Sequence, residues 1–258
     1  MKKIIQDFEI SENISLNDHH YILKLVSPTE LPEILPGQFA EVLVPDSPAT
    51  FLRRPFSIHN IDIRKSEISL FIKCLGNGTA KLRTLRRGDM LNIMLPLGNS
   101  FGLDVKGKVL LVGGGCGMAP LFYLAKSLYA KKIEIDILIG AKNKEDISLV
   151  DELKKFGNIY ITTEDGSEGE KGLATEHSLF ENIKNQYSKI FCCGPEPMMK
   201  AVASIAKKYS TECEVSLENT MACGVGACLC CVTETVDGHK CVCTDGPVFN
   251  IKSLKWQI

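Results

Sequence analysis

The sequence predicts a multidomain chain of β and α/β structure: an antiparallel β-barrel, a Rossmann-like parallel-sheet domain and a small cysteine-rich module. Three observations lead to it. Short apolar runs extend to about residue 101, strand and helix patterns alternate from residue 105, and closely spaced cysteines follow residue 218. With 258 residues, the chain can form two compact domains and a module without disulfide bonds. We place the boundaries at 1–101, 102–217 and 218–258.

The first region has the pattern of an antiparallel barrel. Its apolar runs are separated by turn residues such as Pro36-Gly37 and Gly88-Asp89, and short strands broken in this way are typical of barrels and sandwiches. Apolar residues spaced among Lys and Arg also predict one short helix at 78–87. The predicted strands are 21–26, 39–44, 68–73 and 90–95.

The second region changes period. A buried-strand pattern at 109–112 runs into a glycine turn, and a helical pattern follows at 119–130. Strands that alternate with helices predict a parallel sheet covered by helices on its faces. The further predicted strands are 133–139, 158–162, 189–193 and 212–217. The further predicted helices are 149–156, 175–183 and 197–209.

Composition argues against two kinds of partner. The formal net charge is −1, which leaves no electrostatic footprint for nucleic acid. No segment reaches the roughly 18 uninterrupted apolar residues of a membrane span, and Asp7 and Glu9 interrupt any signal-like apolar run near the start. We therefore expect a cytoplasmic protein with no nucleic-acid or membrane partner. The adjacent His19 and His20 are expected at a solvated strand end.

Four cysteines near the C-terminus carry the most specific pattern. Cys223, Cys228, Cys231 and Cys243 follow the order Cys-x4-Cys-x2-Cys and then a more distant Cys, the spacing with which plant-type ferredoxins hold a 2Fe-2S cluster. Gly224 and Gly226 let the backbone wrap a small anionic cluster and aim N–H groups at its sulfurs. The pattern predicts a carrier of single electrons.

Other uses of these cysteines remain open. A structural zinc site, or a non-catalytic redox-sensing module, is an alternative, although only Cys228 and Cys231 form a Cys-x2-Cys pair. Disulfides fit poorly with eleven cysteines and no export signal. Cys230 adjoins Cys231, and Cys241 lies two residues before Cys243, so either one can replace its neighbour as a ligand.

A motif in the first region resembles the flavin site of the ferredoxin-NADP reductase superfamily. Arg54, Pro55, Phe56 and Ser57 match its Arg-x-aromatic-Ser order. In that family the Arg pairs with the flavin pyrophosphate, and the Ser position hydrogen-bonds the reactive ring edge. The resemblance extends to 71–73 (Phe71, Ile72, Lys73) and to Gly78 and Thr79 at a helix start. Together they predict FAD, whereas alone they also suit a surface Arg-Pro turn and a helix cap.

The second region carries two nucleotide signatures of the same superfamily. A strand-to-helix turn resembles its Gly-Gly-x-Gly-x-Ala-Pro pattern and comprises Gly113, Gly114, Gly115, Gly117, Met118, Ala119 and Pro120. A later turn, with Cys193, Gly194 and Pro195, resembles its Cys-Gly-Pro-x-Pro-Met sequence near the nicotinamide. Residues 142–146 offer both basic and acidic side chains, so the choice of NAD over NADP follows from the resemblance.

The order of the three regions resembles the electron-transfer subunits of class 1B dihydroorotate dehydrogenases. The closest stretches are 217–228 and 243–249. The resemblance implies a catalytic partner that carries FMN, an assembly of two copies of each subunit, and electron flow from FMN through the cluster and FAD to NAD⁺ in pyrimidine biosynthesis. Dihydroorotate oxidation would occur on the partner, so no catalytic residue for it is assigned here. The flavin subunit of an NADH-dependent ferredoxin:NADP reductase or a sulfide dehydrogenase is the alternative.

Overall fold

The computed structural model describes residues 2–48, 50–181 and 183–258, and it begins with a closed antiparallel barrel. The strands are β1 (Ile4–Ser15), β2 (His20–Val26), β3 (Phe39–Val42), β4 (Arg54–Asp62), β5 (Glu67–Lys73) and β6 (Met90–Leu97). They are ordered β1-β2-β5-β4-β3-β6 around the barrel. The predicted barrel is confirmed, but the prediction missed β1 and β4. The Arg54 motif therefore opens a strand and is not a surface turn.

A short helix and a buried histidine lie near the end of β5. Helix α1 (Asn77–Arg83) connects β5 to β6, close to the predicted 78–87. His20 pairs with Lys73, the last residue of β5. The expectation of a solvated end at His20 was wrong, because its ring is fully buried and stacks on Phe71 with centroids 5.2 Å apart. Barrel closure covers this position, which local sequence cannot show.

The second sheet has seven strands in the order β10-β9-β8-β7-β11-β12-β15. Six are parallel: β7 (Val109–Gly114), β8 (Ile135–Ala141), β9 (Asn158–Thr163), β10 (Glu170–Lys171), β11 (Lys189–Cys193) and β12 (Glu212–Ser216). Its helices are α2 (Met118–Ala130), α3 (Val150–Leu153) and α4 (Glu196–Lys208). This confirms the predicted parallel α/β domain, since apolar strands lie between covering helices.

Two predicted helices differ from the structure. The prediction at 175–183 was wrong in the described part: two short 3₁₀ turns, Ala174–Glu176 and Ser178–Phe180, replace it, and Asn182 lies outside the described residues. His177 separates the turns in an extended conformation, and its Nδ1 accepts from the N–H of Leu179 at 3.0 Å. The helix predicted at 149–156 shortens to α3.

The C-terminal module is joined to the second sheet. It contains a hairpin of β13 (Val232–Thr235) and β14 (Gly238–Cys241), the short helix α5 (Val242–Asp245) and β15 (Val248–Asn250). Strand β15 pairs antiparallel with β12, with Phe249 opposite Val215. The module thus completes one edge of the sheet and shares a core with it.

Helix α2 packs across β4 and holds the barrel against the parallel sheet. The His59 ring nitrogen Nδ1 lies 3.2 Å from the carbonyl oxygen of Ala119, and Lys126 donates to Asn60 Oδ1 at 2.7 Å. These contacts join the barrel to the helix that follows the glycine turn. None of the helices within the described ranges is long and apolar enough to cross a membrane.

Candidate functional site

A cavity of about 230 Å³ lies where the three regions meet. The Arg54 strand supplies one wall, the glycine turn before α2 a second, and the segment after β12 a third. Its lining includes Pro55, Phe56, Ser57, Phe71, Ile72, Lys73, Thr79, Cys116, Ala119, Leu217, Glu218, Met221 and Pro247. The flavin motif residues 55–57, the strand end 71–73 and Thr79 therefore line one cavity, as a shared ligand requires.

Arg54 and the start of α1 lie together beside this cavity. A Cβ atom placed on Gly78 would be 3.6 Å from Nε of Arg54. Arg54 Nη1 donates to the carbonyl of Leu52 at 3.0 Å, whereas Arg53 donates to the carbonyl of Glu41 on β3. Arg54 is consequently the arginine placed near the helix N-terminus, where a phosphate would meet both a guanidinium and backbone N–H groups.

A larger cleft of about 480 Å³ lies on the sheet side of the first cavity. Gly114, Gly115 and Pro195 of the predicted set line it, together with Ala141 and Lys142 at the end of β8. This position, at the carboxyl ends of parallel strands, is where open α/β sheets bind nucleotides. The other predicted residues of the first turn are buried and do not line the cleft, and Ala119 lines the first cavity instead.

Gly117 shows why the two signatures occur together. A Cβ atom there would lie 2.0 Å from the carbonyl oxygen of Cys193 and 2.7 Å from the nitrogen of Gly194. Gly194 itself has a φ of 154°. The two turns therefore touch through backbone, and only glycine leaves room for that contact.

The two cavities share a wall that the sequence did not reveal. Glu218 lines both, and its Oε1 lies 3.8 Å from the Cys193 Sγ. Burial raises its carboxyl pKa. Burial likewise raises the pKa of Cys116, which also lines both cavities, to about 12. A carboxyl directly after the last predicted strand was the available signal for Glu218.

The four predicted cysteines form two pairs. The side chains of Cys223 and Cys228 are within hydrogen-bonding reach of each other, and so are those of Cys231 and Cys243. The backbone N–H of Cys228 donates to Cys223 Sγ at 3.4 Å, and that of Cys243 donates to Cys231 Sγ at 3.4 Å. Burial opposes ionisation of Cys223, but N–H groups, including those of Val225 and Cys228, lower its pKa to about 6. Such donors suit an anionic sulfur.

This pairing fits a two-iron cluster better than a single ion. Within residues 2–48, 50–181 and 183–258, no three His, Cys, Asp or Glu side chains converge on one metal position. A structural zinc ion takes four ligands around one centre, whereas a 2Fe-2S cluster shares its four cysteines between two irons. All eleven cysteines are free thiols, and Cys230 is exposed, outside the two pairs.

The cavities and the cysteine pairs define a class: oxidoreductases that combine a flavin domain, a pyridine-nucleotide domain and an iron–sulfur module. Family models agree, matching an oxidoreductase FAD-binding domain at 6–101, an oxidoreductase NAD-binding domain at 111–204 and the iron-sulfur cluster binding domain of dihydroorotate dehydrogenase B at 218–255. They confirm the predicted cofactors: FAD, NAD and an iron–sulfur cluster.

Curated relatives identify the family. The chain is 40% identical over 218 residues to the "Dihydroorotate dehydrogenase B (NAD(+)), electron transfer subunit" of Caldanaerobacter subterraneus, covering 83% of this chain and 84% of that one. It is 35% identical to the Fusobacterium nucleatum protein of the same name, covering 95% and 96%. The chain belongs to the family of dihydroorotate dehydrogenase B electron transfer subunits.

Solved structures support the same fold. An NADH-dependent reduced ferredoxin-NADP oxidoreductase, solved in a study of flavin-based electron bifurcation, superposes with a TM-score of 0.87 at 28% identity, covering 96% of this chain and 90% of that one. Phthalate dioxygenase reductase superposes with a TM-score of 0.67 at 19% identity, covering 90% and 87%, which shows the fold alone.

Proposed function

We propose that this chain passes electrons from the FMN of a catalytic partner subunit, through a 2Fe-2S cluster and FAD, to NAD⁺ during dihydroorotate oxidation. The observation that best supports this proposal is the cavity shared by the three regions. Met221 lines it only two residues before Cys223, and Glu218 lines both it and the nucleotide cleft. Three redox groups held by these walls would be close neighbours.

The barrel residues are proposed to hold FAD. Arg54 and the N-terminus of α1, with Gly78 and Thr79, would bind the pyrophosphate. Ser57 and Lys73, which line the cavity, would face the ring system. The Thr79 hydroxyl accepts from the N–H of Leu75 at 2.9 Å and of Gly76 at 3.1 Å, so it holds the turn in which the phosphate would lie.

The two glycine-rich turns are proposed to hold NAD. Gly114 and Gly115, which have no side chains, would let the pyrophosphate approach the backbone closely. Cys193, Gly194 and Pro195 would lie at the nicotinamide end. Glu218 would meet the nicotinamide where the two cavities join. When bound, nicotinamide exchanges hydride, the cluster exchanges single electrons and the flavin exchanges both, which is why the flavin belongs between the other two.

The cysteine loop is proposed as the contact with the partner. Cys228 is exposed, and so are Val225 and Leu229 beside it. A cluster held by these residues would lie near the surface, where a partner's FMN can approach. On the family resemblance we propose an assembly of two copies of each subunit. None of the eleven cysteines forms a disulfide, which suits the cytoplasm, where cysteines are kept reduced.

Reconstitution tests the proposal. Alone, the holoprotein should oxidise NADH with an artificial acceptor and leave dihydroorotate unchanged. Mixed with the FMN-bearing subunit, it should reduce NAD⁺ at the expense of dihydroorotate. Dihydroorotate oxidation by this chain without a partner would contradict the proposed division of labour.

A cysteine variant tests the route. Cys228→Ser should abolish the coupled reaction while sparing NADH oxidation with the artificial acceptor, because that reaction needs only FAD and NAD. Cys230→Ser, two residues away and outside the cysteine pairs, is the matched control and should retain both reactions. Coupling that persists in cluster-free Cys228→Ser would overturn the route.

A further inference from the structure

Glu41 is the one buried carboxyl whose oxygens both lack a hydrogen-bond partner in the described part of the chain. It lies in the middle of β3, its exposed fraction is 0%, and neither Oε1 nor Oε2 has a partner. A buried polar group left without a hydrogen bond is costly. Such a group in a native fold calls for a partner that completes it.

The side chain of Glu41 packs against the cysteine loop. A Cβ atom placed on Gly224 would lie 2.9 Å from Cγ of Glu41, 3.0 Å from Cε of Met94 and 3.1 Å from Cδ1 of Leu97. Gly224 follows Cys223 directly, and the charged groups that act on the carboxyl are Arg53, Cys223 and Arg54. The buried side chain of Glu41 therefore lies beside the apolar side chains of Met94 and Leu97, against the residue that follows Cys223.

The two nearby arginines are turned to other partners. Arg53 Nη1 donates to the backbone carbonyls of Glu41 at 3.2 Å and Asn92 at 3.1 Å, and its Nη2 donates to the side chain of Asn92. Arg54 Nη1 donates to carbonyls of the preceding loop. Neither guanidinium forms an ion pair with the Glu41 carboxylate, so no direct contact with a positive charge offsets the cost of burying its charge.

We propose that Glu41 is buried as a neutral carboxyl and donates its O–H to a sulfur at the Cys223 end of the cluster. A neutral carboxyl has one donor, and the sulfurs of an anionic cluster are acceptors. Hydrogen bonds to these sulfurs help set the reduction potential of an iron–sulfur cluster. Glu41 would thereby favour the reduced cluster, whose extra negative charge strengthens the bond. The inference rests on the cluster at the four cysteines and is independent of the partner and of the direction of electron flow.

The test is a redox titration of the cluster in the FAD-loaded chain, followed by electron paramagnetic resonance. Glu41→Met removes the donor and should lower the midpoint potential, so that at the wild-type midpoint the ratio of reduced to oxidised cluster falls roughly threefold to tenfold. Glu41→Gln keeps an N–H donor and should leave the midpoint within error of wild type. Asp237→Asn, an exposed acid in the hairpin of the same module, is the control and should leave it unchanged.

Three results are decisive against the proposal. An unchanged midpoint in Glu41→Met would show that the carboxyl does not act on the cluster. Higher midpoints in both variants would show an ionised carboxylate that acts through its charge. If Glu41→Met fails to assemble a cluster, Glu41→Leu replaces it as the variant without a donor, and an unchanged midpoint there, or a raised midpoint in Glu41→Gln, refutes the proposal. Iron-free wild-type protein would instead contradict the proposed function.

Discussion

Arg54 and Ser57 lie three residues apart on one strand but have different proposed roles. Arg54 lies beside Gly78 at the start of α1, whereas Ser57 lines the cavity, as does Cys116 of the glycine turn. Arg54→Ala should therefore weaken FAD binding by roughly 10- to 100-fold, the effect of losing one charge-assisted hydrogen bond. Flavin retained after gel filtration, and the dissociation constant from flavin fluorescence, measure it.

Ser57→Ala is the matched comparison on the same strand. It removes the hydroxyl that is proposed to lie at the reactive edge of the flavin and no proposed phosphate contact, so FAD should stay bound with wild-type affinity. Stopped-flow mixing with NADH should instead show slower flavin bleaching. If Ser57→Ala reduced flavin at the wild-type rate, or if Arg54→Ala kept its FAD, the assigned roles would be wrong.

At the scale of elements, the contact between the two nucleotide turns predicts a strong effect at Gly117. Gly117→Ala drives a methyl group into the backbone of Cys193 and Gly194, which must separate. NAD⁺ affinity should fall by roughly tenfold or more, the scale of overpacking a close contact, while FAD stays bound. Isothermal titration with NAD⁺ checks it.

Gly76→Ala controls for the loss of a glycine. Its φ is −169° and nothing lies within 4 Å of a Cβ atom placed there, so NAD⁺ affinity should match wild type. If Gly117→Ala bound NAD⁺ with wild-type affinity, the two turns would be able to move apart without cost.

The cysteine loop makes its own prediction. Protein purified without oxygen should contain about two iron atoms per chain, as two cysteine pairs imply. Cys228→Ser and Cys231→Ser should each lose or weaken the cluster in absorbance and metal analysis, whereas Cys230→Ser and Cys241→Ser should keep it. Stoichiometric zinc without iron would refute the cluster, and loss in Cys230→Ser with retention in Cys231→Ser would shift the ligand register by one.

At the scale of the whole molecule, β15 makes the module part of the nucleotide domain. Phe249 is buried between β12 and the module core, so Phe249→Ala should cost about 3–5 kcal/mol of unfolding free energy. The module also forms one wall of the proposed flavin cavity. The thermal transitions followed by cluster absorbance, flavin release and far-ultraviolet circular dichroism should therefore shift together to lower temperature.

Val236→Ala provides the contrast within the same module. Its side chain is exposed, so its unfolding free energy should stay within about 0.5 kcal/mol of wild type. Early loss of the cluster signal alone in Phe249→Ala would show that the module melts independently of the sheet.

The sequence by itself determined the features that depend on near neighbours. The cysteine spacing, the glycine turns and the alternation of strand and helix patterns each lie within a few residues, and they led to the fold class, the iron–sulfur cluster and the nucleotide. The Arg54 motif could also be recognised, because four consecutive residues on one strand keep the same spacing in any fold that contains the strand. Placing those residues along one cavity was an expectation that rested on resemblance.

Only the tertiary structure decided what depends on distant contacts. Strand β15 joins β12 across more than thirty intervening positions, and Glu218 acquires its place because two cavities meet at it. His20 is buried by barrel closure and Glu41 by the cysteine loop, although each reads locally as a polar residue that could face water. Burial is set by whichever distant segment covers a side chain, and that long-range packing has no signature in the residues beside it.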